Sequence, residues 1–276
     1  MSTLNITVIQ SNLHWEDKAA NLRMFEEKIS SIRDKMEVVV LPEMFSTGFS
    51  MKPELLAEKM DGTTVQWMKR VSAAKKIILT GSVIIENEGN YFNRLIWMQP
   101  NGECGYYDKR HRFAYAGEHK HYAAGHKRLI VSVKGWKINL QVCYDLRFPV
   151  WSRQAVYAHL PAEDGIGDAE PEYDALIYVA NWPERRVHAW KTLLQARAIE
   201  NQSYVVGVNR TGKDGNEIYY SGESMIVDAM GETMYTKAHD EDIFTIILQK
   251  QHLDEIRSRL PFLKDADRFF LDANKS

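Results

Sequence analysis

Three residues of this chain, Glu43, Lys109 and Cys143, have the types and placements needed for covalent attack on a carbonyl. Cys143 ends the apolar run Trp136-Lys-Ile-Asn-Leu-Gln-Val and is followed at once by Tyr144-Asp145-Leu146-Arg147-Phe148-Pro149. A strand there delivers the thiol to its own C-terminal tip, the edge at which α/β proteins gather their reaction sites. A structural cysteine sits more often inside such a run, inert and buried. Glu43 follows Val38-Val39-Val40-Leu41-Pro42, an apolar run that reads as a strand covered on both faces and stopped by proline. Lys109 ends Gly105-Tyr106-Tyr107-Asp108, a strand entered from the hairpin signal Asn101-Gly102. Taken singly, Glu43 and Lys109 read as ordinary surface charges, and only the three together suggest a site.

The chemistry of the three is complementary. A thiol reacts as the thiolate, so a carboxylate within reach can take its proton as attack develops. An ammonium favours that carboxylate as the anion and stabilises the oxyanion formed on sulfur addition. The backbone N–H of Tyr144 is placed to be a second oxyanion donor. The glutamate then returns the proton to a leaving amine and activates water against the thioester. Amide hydrolysis without a metal or other cofactor is the expected reaction.

The same segments resemble the nitrilase, or carbon–nitrogen hydrolase, superfamily, whose Glu-Lys-Cys triad falls on Glu43, Lys109 and Cys143. Ala196-Arg-Ala-Ile-Glu-Asn-Gln-Ser-Tyr-Val205 and Ser221-Gly-Glu-Ser-Met-Ile-Val-Asp228 extend the likeness, which runs from about residue 4 to about residue 250. Ala114–Tyr122 and Ala180-Asn181-Trp182-Pro183 point to the omega-amidase branch, enzymes that cleave the terminal amide of 2-oxo acid amides such as 2-oxoglutaramate. Another amidase of linear amides, or an N-carbamoyl amide hydrolase, is the runner-up. The resemblance implies an α/β fold of the α-β-β-α sandwich type and a homodimer. It also makes Glu118 a second glutamate that helps place the lysine and the substrate, carried on a mobile loop over the site.

Substrate contacts are less legible. A carboxylate-bearing substrate calls for a bidentate arginine, with Arg112, Arg147, Arg185 and Arg186 as candidates. Arg147 reads equally as an ion-pair partner of Asp145 or Glu43. Phe113 and Trp182 are candidate pocket walls, and Asp145 an orienting group that moves no proton.

The elements that must position these residues alternate. Strands are expected at Ile6–Gln10, Val38–Leu41, Ile77–Val83, Phe92–Met98, Glu103–Asp108, Leu129–Val133, Lys137–Val142, Ala175–Val179, Tyr204–Asn209, Ser224–Asp228 and Ile243–Leu248. Helices are expected at Asp17–Ile32, Val65–Ala74, Pro149–Ala158 and Val187–Glu200. With 276 residues and 45% hydrophobic content, the chain reads as one domain, a core of about 4–250 and an extension at 251–276. Its apolar Ile256, Leu260, Phe262, Phe269 and Phe270 could join a dimer interface.

A net charge of −2 gives no electrostatic case for nucleic acid or an anionic membrane. No signal peptide or spanning run is evident, and two cysteines suggest no disulfide framework, so a cytoplasmic setting is expected. Cys104 reads as a bystander unless the protein is a thiol redox enzyme. His111, His119, His121 and His126 crowd one segment, but their spacing fits no zinc signature and Arg110, Arg112, Lys120 and Lys127 lie among them. The acidic, Gly- and Pro-rich stretch 159–173 reads as an inserted surface loop.

Overall fold

Val38, Val39, Val40 and Leu41 are all fully buried, and their alternation explains the layers. Val38 and Val40 face a core shared with Leu140, Val142, Ile177 and Val206 of a second sheet. Val39 and Leu41 face the opposite way, onto a core built with Phe25, Ile29, Met68 and Val71 of two helices. A strand buried on both faces must be apolar throughout, which is the pattern the sequence carries. The structure, a computed structural model, describes residues 2–154, 171–267, 269 and 271.

The first sheet contains β1 (Thr3–Gln10), β2 (Val38–Val40), β3 (Ile78–Asn87), β4 (Asn90–Met98), β5 (Cys104–Asp108) and β13 (Asp242–Gln249), in the order β13-β1-β2-β3-β4-β5. Strands β1, β2 and β3 are parallel, β3 to β5 form an antiparallel meander, and β13 returns antiparallel to β1. The second sheet contains β6 (Leu129–Val133), β7 (Trp136–Val142), β8 (Ala175–Ala180), β9 (Tyr204–Asn209), β10 (Thr211–Lys213), β11 (Tyr219–Val227) and β12 (Thr233–Ala238). Its order is β10-β11-β9-β8-β7-β6, with β12 beside β11, and β7, β8 and β9 run parallel. Lys134 and Gly135, with φ of 50° and 80°, make the two-residue turn between β6 and β7.

Helices α1 (Lys18–Ser31), α2 (Pro53–Leu56) and α3 (Thr63–Lys75) follow strands of the first sheet. Asp17 caps α1 by accepting the Ala20 N–H at 2.9 Å. The short α4 (Glu118–His121) and α5 (Pro149–Ser152) precede α6 (Val187–Asn201), which lays Trp190, Leu194 and Ala198 on the second sheet. Gly207 of β9 permits that approach, because a Cβ there would stand 2.6 Å from the Leu194 side chain. The layers are α-β-β-α, as the resemblance implies.

Two expectations change in detail. The helix read over Pro149–Ala158 is helical at Pro149–Ser152, and Arg153 is already extended, while residues 155–158 lie outside the described residues. Most of the 159–173 insertion also lies outside them. In the C-terminal stretch, α7 (Lys250–Arg259) buries Leu253 and Ile256 in the chain's own core, whereas Phe262 is exposed. Among the described residues no helix is long and apolar enough to cross a membrane.

Candidate active site

The sites of chemistry sit where both sheets end. Cys143 leaves β7 with φ of 45°, left-handed backbone that costs a side-chain-bearing residue of order 1–3 kcal/mol. It opens a 3₁₀ turn, Cys143–Arg147, that lifts the sulfur out of the strand. The buried Asp145 carboxylate holds this elbow. Its Oδ2 accepts the Val142 N–H at 3.0 Å and the Tyr107 hydroxyl at 2.8 Å. Its Oδ1 accepts the His111 N–H at 3.0 Å and lies 2.8 Å from His111 Nδ1. Asp145 thus ties the end of β7 to the end of β5, the segment that bears Lys109. Arg197 of α6 secures the same turn by donating to the Leu146 carbonyl at 2.6 Å.

Beside the elbow lies a buried charge cluster. Glu43, Lys109 and Glu118 are 0%, 1% and 0% exposed. Lys109 Nζ donates to Glu43 Oε1 at 2.9 Å and to both oxygens of Glu118 at 2.9 Å. The Asn93 amide donates to Glu43 Oε1 at 2.7 Å, and the Asn181 N–H to Glu43 Oε2 at 2.8 Å. The Asn181 side chain closes the loop by donating to the Glu43 carbonyl at 2.6 Å. The Asn181 carbonyl stands 4.0 Å from Cys143 Sγ.

Burial works against the Lys109 ammonium, but Glu118, Glu43 and Cys143 outweigh it and hold the lysine above its ordinary range. Burial pushes the Cys143 thiol well up, and the Glu43 charge pushes it the same way, against Lys109. The resting sulfur is therefore a thiol that needs a base. Burial also raises the Glu118 carboxyl, opposed by Lys109. The cluster can accept the thiol proton at Glu43 and present an ammonium to a carbonyl oxygen.

A cavity of about 230 Å³ opens over Cys143, smaller than the roughly 300–1,000 Å³ of drug-sized ligand sites. Phe113, Tyr144, Arg147 and Trp182 all line it, and the Arg147 guanidinium lies 4.9 Å from the Trp182 ring centre. The Trp182 indole is fixed by donating to the Arg186 carbonyl at 2.8 Å. Phe113 packs 5.0 Å from Tyr144.

Other expectations divide. The Arg147 guanidinium has no carboxylate partner among the described residues, and Asp145 and Glu43 use other donors. Arg112 points elsewhere, donating to the Tyr122 carbonyl at 3.3 Å, whereas Arg185 and Arg186 line the cavity. Glu118 holds the lysine, as the resemblance implies. It opens α4, fully buried, and accepts from Lys109 and from the Phe113 N–H. The four histidines disperse: His111 bonds Asp145 and stacks on Phe148, and His121 faces Glu54 at 4.0 Å. Cys104 is exposed at the start of β5, the end opposite Lys109. Asn93, Asn181 and Tyr107 carry much of the geometry and were not read as site residues. Asn93 left a weak signal, since it lies beside Arg94 ahead of the apolar Leu95–Met98 run of its strand.

Residues 5–258 match the carbon–nitrogen hydrolase family, and the chain belongs to that family. It is an enzyme of carbon–nitrogen bond hydrolysis. The chain is 42% identical to an omega-amidase, YafV, of Yersinia enterocolitica, covering 98% of this chain and all of that one. A 2-oxoglutaramate amidase of Bacillus subtilis (strain 168) is 29% identical over 94% of this chain and 96% of its own. Among solved structures, a CN-hydrolase superfamily protein of Xanthomonas campestris, with an arsenic adduct in its active site, superposes with a TM-score of 0.92. It is 42% identical, with 98% of this chain and 100% of that chain covered.

Proposed function

We propose that this protein is an omega-amidase that hydrolyses the terminal amide of small 2-oxo acid amides through a thioester on Cys143. The observation that carries the reading is the 42% identity, over 98% of the chain, to an enzyme named omega-amidase. The buried cluster beside Cys143 supports the mechanism. Sγ attacks the amide carbon while its proton passes to Glu43. The oxyanion is stabilised by the Lys109 ammonium and the Tyr144 N–H. As the C–N bond breaks, Glu43 protonates the leaving nitrogen, and ammonia departs. Water then gives a proton to Glu43 and attacks the thioester, whose cleavage returns the thiol and frees a carboxylate. Asp145 moves no proton and holds the elbow.

Arg147, Trp182 and Phe113 are the proposed substrate contacts, with amide and water the small-molecule partners. We also read residues 4–250 as one hydrolase domain, with 251–276 as its extension, in a cytoplasmic enzyme. A homodimer is proposed, its interface drawing on exposed Val150 and Phe262, which flank one groove near the Cys143 turn. Twice the chain mass in light scattering is the expected result.

Ammonia release from 2-oxoglutaramate and 2-oxosuccinamate tests the activity. Cys143→Ala should abolish release, by at least roughly 10⁴-fold on the scale of nucleophile removal elsewhere, with the folded circular dichroism spectrum retained. Failure of the native chain on both amides discards the substrate class, and release of carbon dioxide with ammonia from carbamoyl compounds would establish the runner-up.

A further inference from the structure

Arg186 stands where local physics argues against a cation. It is the residue before Val187–Asn201, at the N-terminus of α6, where the helix dipole is positive, and Arg185 precedes it. No side chain caps this helix end. Two arginines there raise the positive potential rather than relieve it. A local rule broken without internal compensation marks a place where function sets the residue.

The compensation is missing across the whole cavity. Arg147, Arg185 and Arg186 line the space above Cys143, and no carboxylate lies within ion-pair distance of their guanidinium groups among the described residues. Asp214 is the acid among the lining residues, and its carboxylate is turned into its own hairpin. It accepts the Asn216 and Ile218 N–H groups at 2.8 and 3.0 Å and the Tyr220 hydroxyl at 2.9 Å. Arg186 is half-buried, so its charge is poorly solvated as well as unpaired.

Its placement is nevertheless fixed. The Arg186 guanidinium lies 4.9 Å from the Phe113 ring centre, as Arg147 lies over Trp182. Trp182 in turn donates to the Arg186 carbonyl, so the two stacked arginines belong to one wall. Burial and the charges of Arg185 and Arg147 push Arg186 below its ordinary range.

Resting on the amidase reading, we propose that Arg186 is a specificity-determining residue that, opposite Arg147, binds the carboxylate end of the substrate, making the cavity selective for anionic amides over neutral ones. Planar guanidinium groups held on aromatic faces present their donor edges, the arrangement suited to bidentate capture of a carboxylate. The anion supplies the charge that the protein withholds.

The test compares the full native chain with Arg186→Gln and Arg186→Lys in two readouts. The first is alkylation of Cys143 by iodoacetate, an anion, against neutral iodoacetamide, where sulfur displaces iodide in both. The native chain should favour iodoacetate relative to free cysteine. Arg186→Gln should lower that ratio roughly 10-fold, the scale of a hydrogen bond to a charged group, with the iodoacetamide rate little changed. The second is turnover of 2-oxoglutaramate, where KM should rise by roughly 10-fold or more and kcat move far less. Arg186→Lys should recover part of both, since it restores charge without the planar fork. Unchanged alkylation ratio and KM in Arg186→Gln would overturn the assignment. Alkylation needs no turnover, so a native chain inactive on 2-oxo amides would discard the amidase reading while the ratio still decides Arg186.

Discussion

The charges at the floor of the cavity and those at its mouth are treated in opposite ways. At the floor, Lys109 is shared between two carboxylates, and nothing in the cluster meets water. At the mouth, Arg147, Arg185 and Arg186 keep their charges facing open space. A buried ion that lacked partners would be strongly destabilising, so the floor must be complete before substrate arrives. Half-exposed arginines tolerate vacancy at modest expense in stability and convert it into affinity. On the proposed reading, the chemistry is preorganised by the protein and recognition is completed by the ligand.

Mutations on the two sides should therefore fail differently. Among the charge removals, Lys109→Ala has the largest expected effect, because it strands Glu43 and Glu118 as buried carboxylates. It should lower kcat by roughly 10²–10³ through the lost oxyanion donor. It should also cost about 3–5 kcal/mol in urea unfolding. Native stability in that variant would break the distinction between floor and mouth. Arg147→Gln should instead leave unfolding nearly unchanged and raise KM for 2-oxoglutaramate by roughly 10-fold, with little change in kcat. A fall in kcat alone would place Arg147 with the floor.

The exposed Glu26–Arg70 pair supplies a reference for charge pairing without burial. Arg70 bonds both Glu26 oxygens at 2.8 and 2.7 Å, and the two side chains are 41% and 58% exposed for Glu26 and Arg70. The Arg70 hydrogen bonds, joined by the Trp67 indole and opposed by slight burial, hold the Glu26 carboxyl down at about 2. Its stabilisation is present above the unfolded carboxyl range, near 4.5, and is lost as pH falls toward 2. Glu26→Gln should cost below about 1 kcal/mol at pH 7, with the difference fading across that window in urea titrations. A loss rivalling that of Lys109→Ala would show that burial is not what separates the pairs.

Glu43, Lys109 and Cys143 were legible because each follows a strand whose pattern is plain, and strand ends are where such residues can converge. The opposed faces of Val38–Leu41 likewise announced a layer on each side. Glu118 was legible as a group that holds the lysine, though sequence alone gives its carboxylate no direction. Its family position implied that it helps place the lysine and the substrate, and only packing adds the Phe113 N–H as a further donor. Asn181 was visible within Ala180-Asn181-Trp182-Pro183, yet its bonds to Glu43 join residues of different sheets, which no local pattern encodes. Strand β12 escaped notice because Thr233–Ala238 keeps none of its residues fully buried, so no clear alternation marks it. The arginines could be named as a set but not sorted, since Arg112 differs from Arg147 only in where the turn aims it.

The pairing of β1 with β13 sets a schedule for synthesis. Glu43 and Lys109 emerge from the ribosome early, but the edge of their sheet is closed by residues 242–249, and Cys143 stands on the other sheet. Such long-range pairing is slow and comes late in folding. Closure of the first sheet thus waits on a segment about 230 residues beyond its first strand.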